Sequence, residues 1–385
     1  MNKKPAIVIV WLLIIFIKLV SSGVIADPEL PLLGANASFN LKKEVELGQG
    51  LYSKLKEQGY VIEDPLLSRY LQDIGETLLS ALELRFRDYH FFLVKDSSIN
   101  AFAAPGGFIG VNAGLIAVSD SEDELASVLA HEIAHVELMH SMQMLEKASE
   151  INMASLISVL AAILIGGQNP DVASAILYGG IAGTSQSMIN FTRANEYEAD
   201  RVGVELLKKS KYNPSAMADF MGILQKREQN GEIANIEYFR THPVNANRIA
   251  EIRARLPVSR QKQAVFSRYQ QFRDYLFYLY SFDSISSNSN TQFSQALLHT
   301  RNGRYDMADQ IYQTLTKTDP DSLWYKYAYA ENMEYQGRTL DAAEVYQAAL
   351  LLYPDELSIG IRLVASLLTQ KQFQTGCVIR LSSNK

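Results

Sequence analysis

Apolar and polar residues follow the spacing of amphipathic helices along most of the chain. In residues 40–58, Leu47, Leu51 and Leu55 recur at every fourth position and share one face, which predicts a helix. Residues 64–82 show the same spacing and predict a second helix. The pattern therefore favours a mainly helical protein.

One short region has the pattern of strands instead. Residues 89–94, YHFFLV, are apolar and aromatic, as in a buried strand. Residues 100–118 predict two extended pieces that are joined by a turn at Pro105–Gly107. A small sheet is thus expected among the helices.

A further helix is indicated by the residues at its start. Ser121 and Glu124 form the S-x-x-E pattern of a capping box ahead of an apolar run. Residues 131–140, HEIAHVELMH, belong to the same predicted helix. Residues 194–210 predict another amphipathic helix.

Two apolar pieces lie within residues 153–183, and each is too short to cross a bilayer. They fit either buried helices that pack on the core or a hairpin that lies on a membrane or guards a site. Both interpretations stay open at the level of sequence.

The C-terminal part contains an internal repeat. Residues 302–321 align with residues 336–355 at a constant offset of 34, the period of tetratricopeptide (TPR) helix pairs. Residues 281–291 are rich in Ser and Asn and predict a linker before the repeat. An aromatic helix over residues 265–280 is expected to join the repeats to the preceding domain.

Composition narrows the classes of partner and of metal site. The 385 residues are 48% hydrophobic and 20% charged, and the formal net charge is -6. We expect no nucleic-acid partner, because phosphate binding needs a basic surface. The chain has one cysteine, Cys377, so a metal site must use nitrogen and oxygen ligands.

The N-terminal residues have the anatomy of a secretory signal peptide. Lys3 and Lys4 precede an apolar run over residues 5–17, and a small-residue cleavage pattern ends at Ala26. A membrane anchor is the rival, but the run is shorter than the ~20 residues that a span needs. We predict export, cleavage after Ala26 and a periplasmic location.

The stretch HEIAH carries the chemistry of a metallopeptidase. His131 and His135 are four apart, so on a helix both can direct a ring nitrogen at one ion. Glu132 is rotated by roughly a quarter turn and can reach a water without binding the ion. This H-E-x-x-H arrangement is typical of zinc peptidases.

A catalytic zinc needs a third protein ligand, and the stretch NEYEADR offers three carboxylates. Glu196 and Asp200 are four apart on one face, so a ligating Glu196 would leave Asp200 to hold a ligand imidazole. Glu198 is rotated away and fits a surface charge. A solvated acidic face remains the alternative for the whole patch.

The remaining histidines fit structural roles. His140 is five residues beyond His135, so a continuous helix would turn it away from the site and make it a packed or capping residue. His90 and His299 belong to no pattern of partners and are expected to be structural or exposed.

Four stretches in order carry a family resemblance: NAFAAPGGFIGVNAGL, DELASVLAHEIAH, NEYEAD and THPVNANRI. They resemble the HtpX/CAAX-prenyl-protease group of zinc peptidases over roughly residues 40–255. The signal peptide and the TPR-like repeats resemble the periplasmic BepA-type branch of that group.

The resemblance implies roles for individual residues. It implies one zinc ion per chain, held by His131, His135 and Glu196, with Glu132 as the base. It also implies that His242 approaches the zinc, either as a fourth ligand at rest or as a stabiliser of the tetrahedral intermediate.

The resemblance further implies a strand that holds the substrate backbone in extended form. The residues concerned are Ala101, Phe102, Ala103, Gly106 and Gly107.

These inferences predict a mainly α fold: an α+β zincin-like metallopeptidase domain with a small sheet, followed by α-helical TPR repeats. The expected divisions are 1–26, signal peptide; 27–258, zinc metallopeptidase domain; 259–290, connecting helix and linker; and 291–385, TPR-like repeats.

Two functions follow from this reading. The first is a periplasmic zinc endopeptidase that acts on unfolded or stalled envelope proteins, with chaperone-like activity and contact through its repeats to the outer-membrane barrel assembly machinery. Peripheral membrane contact is compatible with the apolar segment. The second is a non-proteolytic chaperone or docking protein that uses the TPR surface.

Overall fold

The computed structural model describes residues 37–83, 87–147, 185–231, 238, 242–256, 268–280 and 291–382. Internal contacts divide the chain into Met1–Lys43 and Glu44–Lys385. Of the first unit, the described residues 37–43 are helical. The second unit contains the sheet, the candidate site and the helical repeats.

Helices alternate with a small sheet in the N-terminal half of the described chain. The helices there are α1 (Ala37–Glu57), α2 (Pro65–Leu79), α3 (Ala113–Val118), α4 (Glu122–Glu137), α5 (His140–Lys147), α6 (Ser185–Lys209), α7 (Ser215–Gln229) and α8 (Ala246–Ala254). The strands are β1 (Val61–Ile62), β2 (His90–Val94), β3 (Ala101–Ala104) and β4 (Phe108–Asn112). The mainly α fold with a small sheet is thereby confirmed.

The four strands form one sheet in the order β1-β2-β4-β3. β2 and β4 are parallel, whereas β1 pairs antiparallel with β2 and β3 pairs antiparallel with β4. β3 is therefore an edge strand with one side of its backbone not used in the sheet.

Most of the predicted elements of this half are present. Asp64 caps α2 by accepting a hydrogen bond from the backbone of Leu67, and Ser121 caps α4 through the backbone of Glu124. The second extended piece predicted within residues 100–118 is wrong beyond Asn112, where α3 begins. The run Ala113–Val118 is apolar throughout, so it contains no polar position that would distinguish a helix from a strand.

Helices α4 and α6 approach each other closely in the core. A Cβ on Gly203 of α6 would lie 3.2 Å from the carbonyl oxygen of Ala130 in α4, so a side chain there would crowd the backbone of α4. The neighbouring positions His131 and Asp200 are then 3.1 Å apart at their side chains. Close helix packing is thus what brings the two sequence motifs together.

The C-terminal half is entirely helical where the structure describes it. Its helices are α9 (Arg268–Leu279), α10 (Gln292–Arg301), α11 (Tyr305–Thr318), α12 (Leu323–Tyr335), α13 (Thr339–Leu352) and α14 (Leu357–Ser382). α11 and α13 begin and end at the offset of 34 found in the sequence, and Gly303 and Gly337 precede them with positive φ. The helix pairing agrees with the repeat, and its assignment as TPR stays a prediction.

Aromatic side chains join the two halves through α9, as predicted. Tyr70 of α2 stacks on Phe272 with ring centroids 4.5 Å apart, and Trp324 of α12 lies 6.0 Å from Phe272. Tyr275 donates a hydrogen bond of 2.8 Å to the buried carboxylate of Glu331. The hydrophobic core is therefore continuous from α2 to the repeats.

Several predictions concern residues outside the described ranges. The signal peptide and its cleavage after Ala26, the apolar residues 153–183 and the linker residues 281–290 all lie there. Among the residues that the structure does describe, no helix combines the length and the apolar character of a membrane span.

Gly48 of α1 faces the turn that ends β3, and its replacement tests this packing. A Cβ there would overlap the carbonyl oxygen of Pro105. We expect Gly48→Ala to lower the free energy of unfolding by about 1–3 kcal/mol, the usual cost of overpacking. Urea denaturation measures the change.

Gly222→Ala in α7 is the matched control, since its Cβ would meet Arg253 only at 3.9 Å. Removing a helical glycine there should raise stability by up to about 1 kcal/mol. Equal changes in the free energy of unfolding for the two substitutions would show that the turn at Pro105 can move to accommodate the added methyl group without loss of stability.

Candidate metal centre

Two histidines of α4 direct ring nitrogens at one point. The Nε2 atoms of His131 and His135 are 3.0 Å apart, and both rings are buried. Their spacing of four residues places them one helical turn apart on the face that looks at α6. The pairing predicted from HEIAH is present.

Glu196 supplies a carboxylate from α6. Its Oε2 lies 3.4 Å from Nε2 of His131, and its Oε1 lies 3.4 Å from Nε2 of His135. Glu196 is buried, whereas the side chain of Glu198 is 57% exposed. Of the three carboxylates in NEYEAD, the structure thus brings Glu196 into the group.

His242 completes the group from the segment before α8. Its Nδ1 lies 3.1 Å from Oε1 of Glu196 and 3.3 Å from Nε2 of His131. The backbone N–H of His242 donates to the carbonyl of Tyr238 at 2.7 Å, and the Tyr238 ring lies 4.8 Å from the imidazole. These contacts orient the ring toward the other three side chains.

The separations of the four ligand atoms fit a zinc ion. Four ligands at the ~2.0–2.1 Å typical of zinc–nitrogen and zinc–oxygen bonds are about 3.3–3.4 Å apart in a tetrahedron. The contacts of Glu196 and His131 within the group are 3.0–3.4 Å long, and all four atoms lie within 4.8 Å of one another. The four residues therefore fit a cation with tetrahedral coordination.

The electrostatics of the group also favour a cation. Burial lowers the pKa of His135 to about 3, so this ring is neutral and free to bind a metal. Burial opposes charge on His131 as well, but the adjacent Asp200 and Glu196 outweigh it and raise the pKa of His131 to about 10. Although burial opposes ionisation of Glu196, the surrounding imidazoles hold its pKa well below the usual value. The carboxylates therefore make positive charge favourable here.

Asp200 and Arg248 contact the group on the side away from the shared ligand point. Oδ1 of Asp200 lies 3.1 Å from Nδ1 of His131, which is the role predicted for it. The guanidinium of Arg248 donates to both oxygens of Asp200 at 2.7 and 2.8 Å and contacts Oε2 of Glu196 at 2.8 Å. Burial raises the pKa of Asp200, but the hydrogen bonds from Arg248 and His131 outweigh it and lower the pKa overall.

Glu132 is the buried acid beside the group. Both carboxylate oxygens are buried without a hydrogen-bond partner, and Nε2 of His242 lies 3.5 Å from Oε1. Burial raises the pKa of this carboxyl. An unpartnered buried carboxylate lowers stability, and such groups cluster at functional sites, so its position supports a catalytic role.

The expectation that His140 faces away from the site is wrong. Its Nδ1 lies 3.0 Å from Nδ1 of His135, and its ring is buried. The helix does not continue as assumed: α4 ends at Glu137, and Met139 has a φ of 56°. This left-handed residue turns the chain so that α5 begins with His140 against α4.

Of the predicted substrate-binding residues, Ala103 lies on the edge strand beside Glu132. Ala103 of β3 is partly exposed, and its carbonyl accepts a hydrogen bond of 3.1 Å from Ser141. The backbone of Ala103 also lowers the pKa of Glu132, although burial raises it more. The other four are buried: Ala101, Phe102, Gly106 and Gly107.

Sequence reasoning missed two residues of this centre, His140 and Arg248. Arg248 lies within the quoted stretch THPVNANRI, where a cation six residues beyond His242 was the available signal. For His140, the only signal in the sequence was that it is a histidine, because no nearby residue indicates the helix break at Met139.

Comparisons with known proteins agree with this geometry. Residues 65–256 match the profile of "Peptidase family M48". The chain is 31% identical over 314 residues to the "Beta-barrel assembly-enhancing protease" of Escherichia coli (strain K12), covering 77% of this chain and 64% of that protein. The match therefore spans somewhat less than two thirds of that relative.

Two further relatives are also named as peptidases. The Yersinia pestis protein of the same name is 28% identical over 367 residues, covering 90% of this chain and 75% of the relative. The "Mitochondrial metalloendopeptidase OMA1" of Schizosaccharomyces pombe is 28% identical over 205 residues, covering 52% and 57%.

Replacement of Arg248 tests whether its guanidinium stabilises the buried carboxylates of the centre. Arg248→Met would leave two buried carboxylates without their cation, and we expect a loss of about 3–5 kcal/mol of stability. Urea denaturation of the protein stripped of metal by chelation measures this loss.

Arg253→Met on the same helix is the matched control. Arg253 pairs with Asp219 at 3.4 Å, and both side chains are more than half exposed. An exposed pair contributes about 0–1 kcal/mol. A similar small loss for Arg248→Met would mean that the buried carboxylates do not need the guanidinium.

Proposed function

Because the chain belongs to peptidase family M48, whose metallopeptidases use zinc, we propose that it is a zinc endopeptidase of the bacterial envelope. The observation that carries the proposal is the buried group of His131, His135, Glu196 and His242 beside the unpartnered carboxylate of Glu132. Its task would be quality control and assembly of envelope and outer-membrane proteins.

Zinc, when bound, supplies Lewis acidity that activates water near neutral pH and polarises a peptide carbonyl. His131, His135 and Glu196 would hold it. Glu132 accepts a proton from the attacking water at one of its carboxylate oxygens and delivers it to the nitrogen of the leaving amine. The raised pKa of Glu132, which burial causes, favours the proton-accepting half of this cycle.

His242 has two candidate roles in the reaction. Its Nδ1 lies among the ligand atoms, which supports a fourth ligand that restrains the resting enzyme. Its Nε2 faces Glu132, and a ring moved toward the substrate could instead donate to the oxyanion. We favour the restraining role, because the distances from Nδ1 to the ligand atoms of Glu196 and His131 are those expected between two ligands of one zinc ion.

The substrate would bind by strand addition to β3. This strand is at the sheet edge, and Ala103 lies beside the buried carboxylate of Glu132. An extended peptide paired with β3 would expose its backbone to the reacting groups without requiring particular side chains. Ala101, Phe102 and Ala103 would hold the chain, while Gly106 and Gly107 shape the adjoining turn.

Several observations support an envelope setting. The predicted signal peptide sends the chain out of the cytoplasm, and the relatives of Escherichia coli and Yersinia pestis are named for enhancing β-barrel assembly. We propose that the clients are unfolded or stalled envelope proteins in the periplasm. The predicted TPR repeats would contact the barrel assembly machinery.

A docking or chaperone role without proteolysis is the second candidate. It is favoured by apolar side chains that α13 and α14 leave exposed, among them Leu351 at 81% and Leu357 at 78%. Exposed apolar side chains that cluster on a surface are typical of an interaction site. Both roles can coexist in one chain, and the substitution of Glu132 separates them.

Glu132→Gln is the direct test of the enzyme. The amide keeps the size of the side chain but cannot accept the proton, so we expect zinc content near one per chain and loss of cleavage of an unfolded protein such as casein. Zinc is measured by atomic absorption, and cleavage by gel electrophoresis. Undiminished cleavage by the variant would remove Glu132 from the mechanism, and a wild-type protein without activity would favour the docking role.

His242→Ala tests the restraint. If Nδ1 occupies a ligand position at rest, its removal should raise basal cleavage or self-cleavage at equal zinc content. An oxyanion donor predicts the opposite, a rate lower by roughly 10²–10³-fold. Turnover of an unfolded substrate and the integrity of the enzyme itself are followed together. A slower enzyme with no added self-cleavage would contradict the restraint.

A further inference from the structure

We infer that His140 is a positioning residue of the metal centre, which accepts a hydrogen bond from Nδ1–H of His135 and so keeps Nε2 of that ring directed at the metal. The inference rests on the proposed zinc site. It concerns a residue outside the H-E-x-x-H pattern, on the helix that follows it.

The two nitrogens of His135 face different surroundings. Nε2 lies 3.0 Å from Nε2 of His131 and 3.4 Å from Glu196, on the side of the ligand group. Nδ1 lies 3.0 Å from Nδ1 of His140. A neutral imidazole has one N–H, and the nitrogen that binds a cation must be the other one. Nδ1 of His135 therefore carries the hydrogen and donates it to His140.

His140 is arranged to be the acceptor. If its Nδ1 accepts, its own hydrogen is on Nε2, and that atom lies 3.5 Å from a carboxylate oxygen of Glu198. The side chain of His140 is buried, whereas that of Glu198 is 57% exposed. Nε2 of His140 forms no hydrogen bond among the described residues, so its contact with Glu198 is electrostatic, and the proposed hydrogen bond is the one between His135 and His140.

The two ligand histidines are held in different ways. His131 faces Asp200, whose carboxylate is bound by the guanidinium of Arg248. His135 faces a second imidazole instead. Imidazoles that bind metals generally donate their other N–H to an acceptor, which fixes the ring and its tautomer. His140 supplies for His135 what Asp200 supplies for His131.

The backbone adopts an unfavourable conformation that brings His140 to this place. In a continuous helix, a residue five positions after His135 would be rotated by roughly 140° from it. Met139 has a φ of 56°. Among the described residues, every other positive φ belongs to a glycine. Side chains with a Cβ rarely adopt this region, and such residues cluster at functional sites.

Two substitutions of His140 separate hydrogen bonding from packing. His140→Asn keeps an acceptor oxygen near the position of Nδ1, whereas His140→Phe keeps a flat ring without an acceptor. His299→Phe is the control, because it makes the same exchange at a histidine of α10 that is only partly buried. The full mature chain is used throughout, and Glu196→Ala marks the loss expected for a missing ligand.

The readout is metal binding rather than proteolysis. Zinc affinity is measured by competition with a chromogenic chelator, and the visible spectrum of the cobalt-substituted protein reports the ligand geometry. We expect His140→Phe to weaken zinc binding by about 10-fold to 100-fold and to change the cobalt spectrum. His140→Asn should stay within about threefold of wild type, and His299→Phe should be unchanged.

Each contrary result has a defined meaning. If His140→Phe binds zinc as tightly as wild type with the same cobalt spectrum, His140 does not position His135. If His140→Asn and His140→Phe weaken binding equally, the ring contributes packing and the proposed hydrogen bond is wrong. A wild-type protein that binds no zinc would instead overturn the proposed function, and this inference with it.

Discussion

The centre depends on one buried positive charge, the guanidinium of Arg248. It is 1% exposed and contacts the carboxylates of Asp200 and Glu196 at 2.7–2.8 Å. Two carboxylates cannot be taken out of water this close together without a compensating cation, because desolvation costs several kcal/mol per ion. Arg248 therefore fixes where Glu196 meets the histidines of α4 and where Asp200 meets His131. The glycine at position 203 lets the two helices come close enough for these contacts.

The parts of the site that are local in sequence could be predicted from sequence. The spacing of His131 and His135 determines a shared helical face, and the cap at Ser121 indicates where that helix begins. The relation of Glu196 to Asp200 follows from the same periodicity on α6. The sheet was predictable in its three longer strands because aromatic runs and the Pro105–Gly107 turn have few other structures open to them.

The remaining parts depend on tertiary contacts that no local pattern encodes. Arg248 lies 48 residues beyond Asp200, and nothing near it in sequence specifies a buried ion pair. Helical spacing predicts the wrong face for His140, because the helix breaks at Met139, a left-handed residue that is neither glycine nor proline. The sequence of α3 predicts an extended piece, because an entirely apolar run has no polar position that would reveal a helical period.

The shortness of β3 has a consequence for how a protease of this design would choose its clients. The strand has four residues, Ala101–Ala104, and under the proposed strand addition, backbone pairing along them would depend on the extended state of a peptide rather than on its side chains. A segment already paired within a barrel or sheet has no free backbone to offer. When opening and closing are faster than cutting, cleavage follows the equilibrium population of the open form. Such an enzyme would discriminate among proteins by their folding stability, and a client would escape by completing its own hydrogen bonds.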